Sequence, residues 1–173
     1  PVISYLLLRG KCAHCSSRIS LRYPVVELLC GGLFLAIALL NPPGVVSLAL
    51  MAFAASLLVL ALIDLDTYLL PDSITLPLLW AGLLFNLFAE FVPLASAVSG
   101  AAMGYLVLWL IYQLFKLATG KEGMGYGDFK LLAAIGAWMG ITSLFSVVLF
   151  ASVSGIVFGL IIQTIRGKKK TDA

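Results

Sequence analysis

Four aspartates, Asp64, Asp66, Asp72 and Asp128, stand where apolar runs give way to polar sequence. Two carboxylates held close together can hydrolyse a peptide bond without serine, cysteine or metal. One takes a proton from water and the other delivers a proton to the substrate, because neighbouring like charges cannot both ionise easily and their pKa values separate. Asp64 follows the uninterrupted run Leu57-Leu58-Val59-Leu60-Ala61-Leu62-Ile63, and an ionisable group at the edge of such a run is a functional candidate by default. Asp128 follows Gly123-Met124-Gly125-Tyr126-Gly127 and opens another apolar stretch. Glycines there allow close backbone approach, so an extended peptide can pair along Gly125, Tyr126 and Gly127. A helix starting at Asp128 favours its ionised form through the helix dipole. Each aspartate also has a plain structural reading, in which Asp64 ends a helix and Asp128 caps one.

Other chemistries compete for the same residues. Membrane carboxylates mark ion paths, so a small ion-coupled transporter is the alternative, with a noncatalytic assembly subunit as the third reading. These acids gather at one face of the predicted bundle rather than at its midplane, and no broken helix or inverted repeat accompanies them, which weighs against transport. Cys12-Ala13-His14-Cys15 has the spacing of half a zinc knuckle, but a structural zinc site takes four ligands. Cys12 and Cys15 are therefore expected to be a reduced thiol pair at an incomplete zinc site, and Cys30 a packing residue in an apolar helix. Carboxylate-pair hydrolysis requires no cofactor.

The elements that position these residues follow from composition. Of 173 residues, 62% are hydrophobic and 11% charged, with a mean hydropathy of +1.11. Apolar stretches at roughly 24–41, 44–63, 73–90, 93–118, 129–140 and 142–165 lack period-2 alternation, and all but the fifth approach the length needed to cross a hydrocarbon core. The expected fold is all-α, a polytopic bundle of about six transmembrane helices. The expected organisation is a polar arm over 1–23, a membrane-embedded domain over 24–166 and a basic tail over 167–173. Alternating the spans puts every Lys and Arg on or next to one side, which the positive-inside rule makes cytoplasmic, with both termini there. The net charge of +3 reflects this topology rather than a nucleic-acid surface. Small residues four apart, at Gly100/Gly104, Gly136/Gly140 and Gly155/Gly159, predict close helix packing. The sequence opens Pro1-Val2-Ile3 without a visible signal peptide, as expected of a fragment or a processed chain.

Two long motifs, Asp64-Leu65-Asp66-Thr67-Tyr68-Leu69-Leu70-Pro71-Asp72 and Thr119 to Ala133 with Gly125-Tyr126-Gly127-Asp128 at its centre, resemble the bacterial type IV prepilin peptidases, intramembrane aspartyl proteases with a Gly-x-Gly-Asp signature. The resemblance runs from Pro1 through the sixth span. It implies that Asp64 and Asp128 are the catalytic pair. Asp64 is preferred because distant archaeal members carry an aspartate seven residues before the motif proline, here Pro71. Asp66 and Asp72 are the nearest competitors; Asp72 is expected to cap the third helix, beginning at Ser73-Ile74, and Asp66 to be a solvated loop residue. Glu122, Asp66 and Asp72 can still attract a basic leader, which places Glu122 and Asp72 beside Gly125, Tyr126 and Gly127 as substrate-binding candidates. The implied substrate is a prepilin or pseudopilin, whose short basic leader is followed by a glycine and an apolar helix, and it is cut after that glycine on the cytoplasmic side of the bacterial inner membrane. Many members of that family carry a second Cys-x-x-Cys pair upstream and also methylate the new N-terminus from S-adenosylmethionine. No glycine-rich nucleotide fingerprint accompanies these residues, so methylation is not expected of this chain. A homo-oligomer is compatible with the sequence.

Overall fold

The computed structural model describes the backbone of residues 2–121 and 123–171, and the side chains of those residues other than 158 and 162–171. The described residues form seven helices, α1 (Val2–Leu7), α2 (Arg22–Leu40), α3 (Val45–Thr67), α4 (Asp72–Ala89), α5 (Leu94–Thr119), α6 (Tyr126–Met139) and α7 (Ile141–Thr171). No strand occurs among the described residues, so the all-α expectation holds. Among the described residues, five helices, α2 to α5 and the Ile141–Ile161 part of α7, are long and apolar enough to cross a membrane. The short stretch predicted at 129–140 is α6, whose 14 residues reach only about 21 Å.

Proline and glycine set the helix ends. α2 stops at Leu40, ahead of Pro42-Pro43, because a residue before proline is pushed out of the helical region. Pro71 and Pro93 precede the first residues of α4 and α5. Gly120, in the left-handed region at φ 70°, closes α5 by donating its N–H to the Lys116 carbonyl at 2.8 Å. Pro77 lies inside α4, which membrane helices tolerate where neighbours satisfy the freed groups.

Backbone contacts divide the chain into two compact units, residues 1–69 and 70–173. In the first, α2 and α3 run antiparallel, since Arg22 at the start of α2 reaches Leu62 and Asp66 at the end of α3. The preceding arm folds back through an isolated bridge between Lys11 and Arg18, with the Tyr5 hydroxyl donating to the Ile19 carbonyl.

In the second unit α6 is the core. Phe129, Leu132, Ala133, Ala134, Ala137 and Trp138 are all buried. α5 passes it antiparallel at backbone contact. A Cβ on Gly104 would lie 2.6 Å from the Leu132 carbonyl oxygen, one on Gly100 would lie 2.5 Å from that of Gly136, and one on Gly136 would strike the Gly100 carbonyl. Only glycine permits that approach. Gly155 and Gly159 have no atom near their missing side chains, so the small-residue pattern marks packing in α5 and α6 and open helix surface in α7. α4 runs parallel to α6, joined at one end by Asp72 and Lys130 and towards the other by the buried Asn86. That amide donates to the Ala137 and Trp138 carbonyls at 2.8 and 3.1 Å, and its oxygen accepts the Val92 N–H at 2.9 Å.

Candidate active site

Asp64 lies in the last turn of α3, exposed, with its carbonyl accepting the Tyr68 N–H at 2.8 Å. The helix continues to Thr67 and stops because Tyr68 turns left-handed at φ 56°, so Asp64 does not itself end it. Asp66, expected in a loop, belongs to the same helical turn. Arg22 forks onto its two carboxylate oxygens at 2.7 Å each, and the guanidinium also reaches the Leu62 carbonyl at 3.3 Å. Both side chains are about half exposed, so solvent screens the pair and its contribution to stability is small. Its larger effect is geometric, since it fixes the start of α2 beside the end of α3 where Asp64 stands.

Within the arm, Cys15 Sγ lies 3.0 Å from Ser17 Oγ. Hydrogen bonds from the Ser17 side chain and backbone, followed by one from Cys12, lower the Cys15 thiol from 9.0 to about 7. Cys12 and Cys15 are not joined by a disulfide in this structure. No group of three or more His, Cys, Asp or Glu side chains comes together among the described residues. The pair alone thus does not fit a four-ligand zinc site.

The second unit holds the glycine-rich segment. Gly125 is extended (φ −79°, ψ 148°) and precedes α6, which starts at Tyr126 with Asp128 in its first turn. The N-cap position belongs to Gly125 and no side chain caps the helix, so Asp128 is not the capping residue. The three glycines differ. A Cβ on Gly123 would sit 2.8 Å from the Phe115 ring and one on Gly127 2.8 Å from Leu70 Cβ, whereas Gly125 faces open space. Tyr126 is half exposed and packs on Tyr112 and Phe129, with ring centroids 5.5 and 5.4 Å away, which ties the segment to buried rings of α5 and α6.

Asp72 is the first residue of α4, not its cap; that position belongs to Pro71. Its two oxygens accept from Lys130 Nζ at 2.7 Å each, an ion pair bridging the starts of α4 and α6. Lys130 was not singled out from the sequence. The usable signal was its place two residues after Asp128, as the only cation in α6. Glu122 lies outside the described residues.

The second unit therefore brings Asp72, Lys130, Asp128 and the extended Gly125 to one end, and the first unit carries Asp64 at the end of α3. Beside Asp128 opens a groove of about 350 Å³ between α5, α6 and α7, lined by Leu108, Leu131, Ile135 and Val148 among others.

Residues 51–160 match the type IV leader peptidase family, and residues 1–40 match the bacterial peptidase A24 N-terminal domain. A prepilin leader peptidase/N-methyltransferase of Aeromonas salmonicida (strain A449) is 55% identical over 160 residues, covering 92% of this chain and 55% of that protein. Proteins of the same name from Neisseria gonorrhoeae and Pseudomonas putida are 51% and 53% identical, over 97% and 96% of this chain and 59% and 58% of theirs. The chain thus spans somewhat more than half the length of these relatives. No solved structure matches it. With the family match covering most of α3 and all of α4, α5 and α6, and so both motif aspartates, the chain belongs to the type IV leader peptidase family.

Proposed function

We propose that this chain is an aspartic endopeptidase that removes the basic leader from type IV prepilins or pseudopilins, cutting after a glycine at the cytoplasmic face of the bacterial inner membrane. Asp64 and Asp128 are the catalytic pair. One carboxylate accepts a proton from water as the water oxygen attacks the scissile carbonyl carbon, and the other protonates the departing amine. Gly125, Tyr126 and Gly127 bind the extended segment around the scissile bond through backbone pairing. Glu122 and Asp72 contribute negative charge towards the basic leader. The reading carries no cofactor, and zinc at Cys12 and Cys15 has no part in it. The relatives' printed name joins N-methylation to peptidase activity; only the peptidase half is proposed for this chain.

The observation that carries the reading is Asp128 in the first turn of α6, directly after an extended glycine with nothing opposite its missing side chain. Such a segment leaves room for a substrate backbone alongside a carboxylate. An ion path would instead place its ionisable groups near the bilayer midplane.

The test is cleavage of a purified prepilin by membranes holding the chain. Asp64→Asn and Asp128→Asn each lower turnover by about 10²–10⁴-fold, as loss of a general acid or base does. Asp72→Asn raises KM about threefold and keeps turnover, since a solvated charge contributes less than about 1 kcal/mol. Full cleavage by both Asp64→Asn and Asp128→Asn would sink the proposal.

A further inference from the structure

α6 is enclosed except along one stripe. From residue 131 onward its buried positions are Leu132, Ala133, Ala134, Gly136, Ala137 and Trp138, while Leu131 and Ile135 are half-buried and Met139 is exposed. With Asp128 these form the spacing i, i+3, i+7, i+11, a single line along a helix face. The groove beside Asp128 follows that line from Asp128 through Leu131 to Ile135, about 10 Å along the axis. Leu108 of α5 and Val148 of α7 form further parts of its wall, and Ser152 adds a hydroxyl. Asp128 is the one charged group lining it among the described residues. The groove leads away from the glycine-rich end and into the apolar part of the second unit.

We infer that this groove is a substrate subsite that takes a bulky apolar side chain from the first helical turn beyond the scissile bond. The inference rests on the peptidase reading and adds where the retained part of the substrate lies. A peptide bond presented to Asp128 has two sides. A basic leader gains nothing from a channel that is apolar beyond Asp128, and charged groups are strongly disfavoured there. The apolar helix that follows the cut has side chains of the required chemistry, and one of them within a turn of Asp128 falls at Leu131 and Ile135. Burying it sets the register of the cut, since displacing the chain by one residue turns that side chain about 100° away from the groove. Leu131, Ile135 and Val148 then determine specificity without touching the reacting atoms.

The experiment uses the full chain in membranes and two synthetic membrane-inserted substrates. Each has a Lys-rich leader, a glycine and an apolar helix whose first four residues are all Leu or all Ala. Wild type prefers the Leu substrate by about tenfold in kcat/KM, the discrimination a few methylenes provide. Ile135→Trp, which fills the groove, removes that preference, taking the Leu-to-Ala ratio of kcat/KM from about ten to about one. Equal rates for both substrates in wild type, or a preference that survives both Ile135→Trp and Val148→Phe, overturn the inference. A second arm does not depend on cleavage. Asp128→Asn protein is incubated with substrate carrying benzoylphenylalanine at each of the first four positions and irradiated. Crosslinks at Leu131, Ile135 or Val148 support the inference; crosslinks confined to other helices overturn it and leave the groove to lipid acyl chains. Cleavage by wild type combined with crosslinks elsewhere removes the subsite alone. Absence of cleavage by wild type removes the peptidase reading, while the crosslinks still report on the groove.

Discussion

At the scale of single residues, ion pairs give two of the motif aspartates a structural part. Asp66 is held by Arg22 and Asp72 by Lys130, each through both oxygens. Those two aspartates fix helix ends, a role distinct from the one proposed for Asp64 and Asp128. Motif spacing singled out the proposed pair, but it could not reveal the ion pairs, because each joins residues 44 or 58 positions apart. Cys15 offers a separate test. Its thiol is lowered to about 7 from 9.0, chiefly by Ser17, and the thiolate is the reactive form. Alkylation by a soluble maleimide is therefore half-maximal near pH 7, and Ser17→Ala moves the midpoint upward towards the ordinary thiol value. The sign for stability follows from the same shift. The folded value lies below the unfolded one, so the contribution is full above pH 9 and fades as pH falls through about 7. A Cys15 alkylation midpoint unchanged by Ser17→Ala would show that the serine does not hold the thiolate.

At the scale of helices, α6 shows why length alone misjudges an element. Its 14 residues are too few to match the hydrocarbon thickness at about 1.5 Å each, yet it is the most enclosed helix in its unit. Glycines on α5 and α6 make that enclosure by letting the two backbones touch. The recurring four-residue spacing announced close packing, but three such pairs occur in the sequence and nothing local distinguished the two that meet from the Gly155/Gly159 pair, which meets nothing. The distinction depends on which helix lies opposite, a tertiary fact. Gly100→Leu and Gly136→Leu each drive a side chain into a facing backbone that cannot yield, and each costs at least about 1–3 kcal/mol, the usual penalty of overpacking. Gly155→Leu meets open space and costs less than about 0.5 kcal/mol, as surface substitutions do. Thermal unfolding in detergent measures all three. Equal losses at Gly155 and Gly100 would contradict the α5–α6 crossing. Because α6 carries Asp128, the first two variants should also lose cleavage in parallel with stability.

Across the whole molecule, alternation of apolar runs and one-sided charge made the membrane architecture legible before any contact was known. Hydropathy identifies spans because a bilayer leaves backbone groups no partner but the helix itself. What it left open was whether the fifth apolar stretch carries the chain across, since a short helix can cross or turn back. Contacts within the second unit decide the internal directions. α6 runs parallel to α4 and antiparallel to α5, and its end lies with Asn86, Val92 and Ser96, because Asn86 bonds the Ala137 and Trp138 carbonyls and Ser96 Oγ accepts the Ile141 N–H at 3.3 Å. If α4 and α5 span the bilayer, the α6–α7 turn belongs to the face opposite Asp72 and Asp128. Positive residues cluster with the latter, and by the positive-inside rule that is the face proposed to be cytoplasmic. The expected outcome of labelling single cysteines, in a background with Cys12, Cys15 and Cys30 replaced by serine, follows directly. Glu90→Cys and Thr142→Cys react with an impermeant maleimide in intact spheroplasts, whereas Lys121→Cys reacts only after the vesicles are inverted. Labelling of Thr142→Cys and Lys121→Cys from the same side would mean that α6 turns back within the membrane. Asp128 would then start a re-entrant helix, and a substrate would reach it through a cavity inside the bilayer rather than from the cytoplasmic surface.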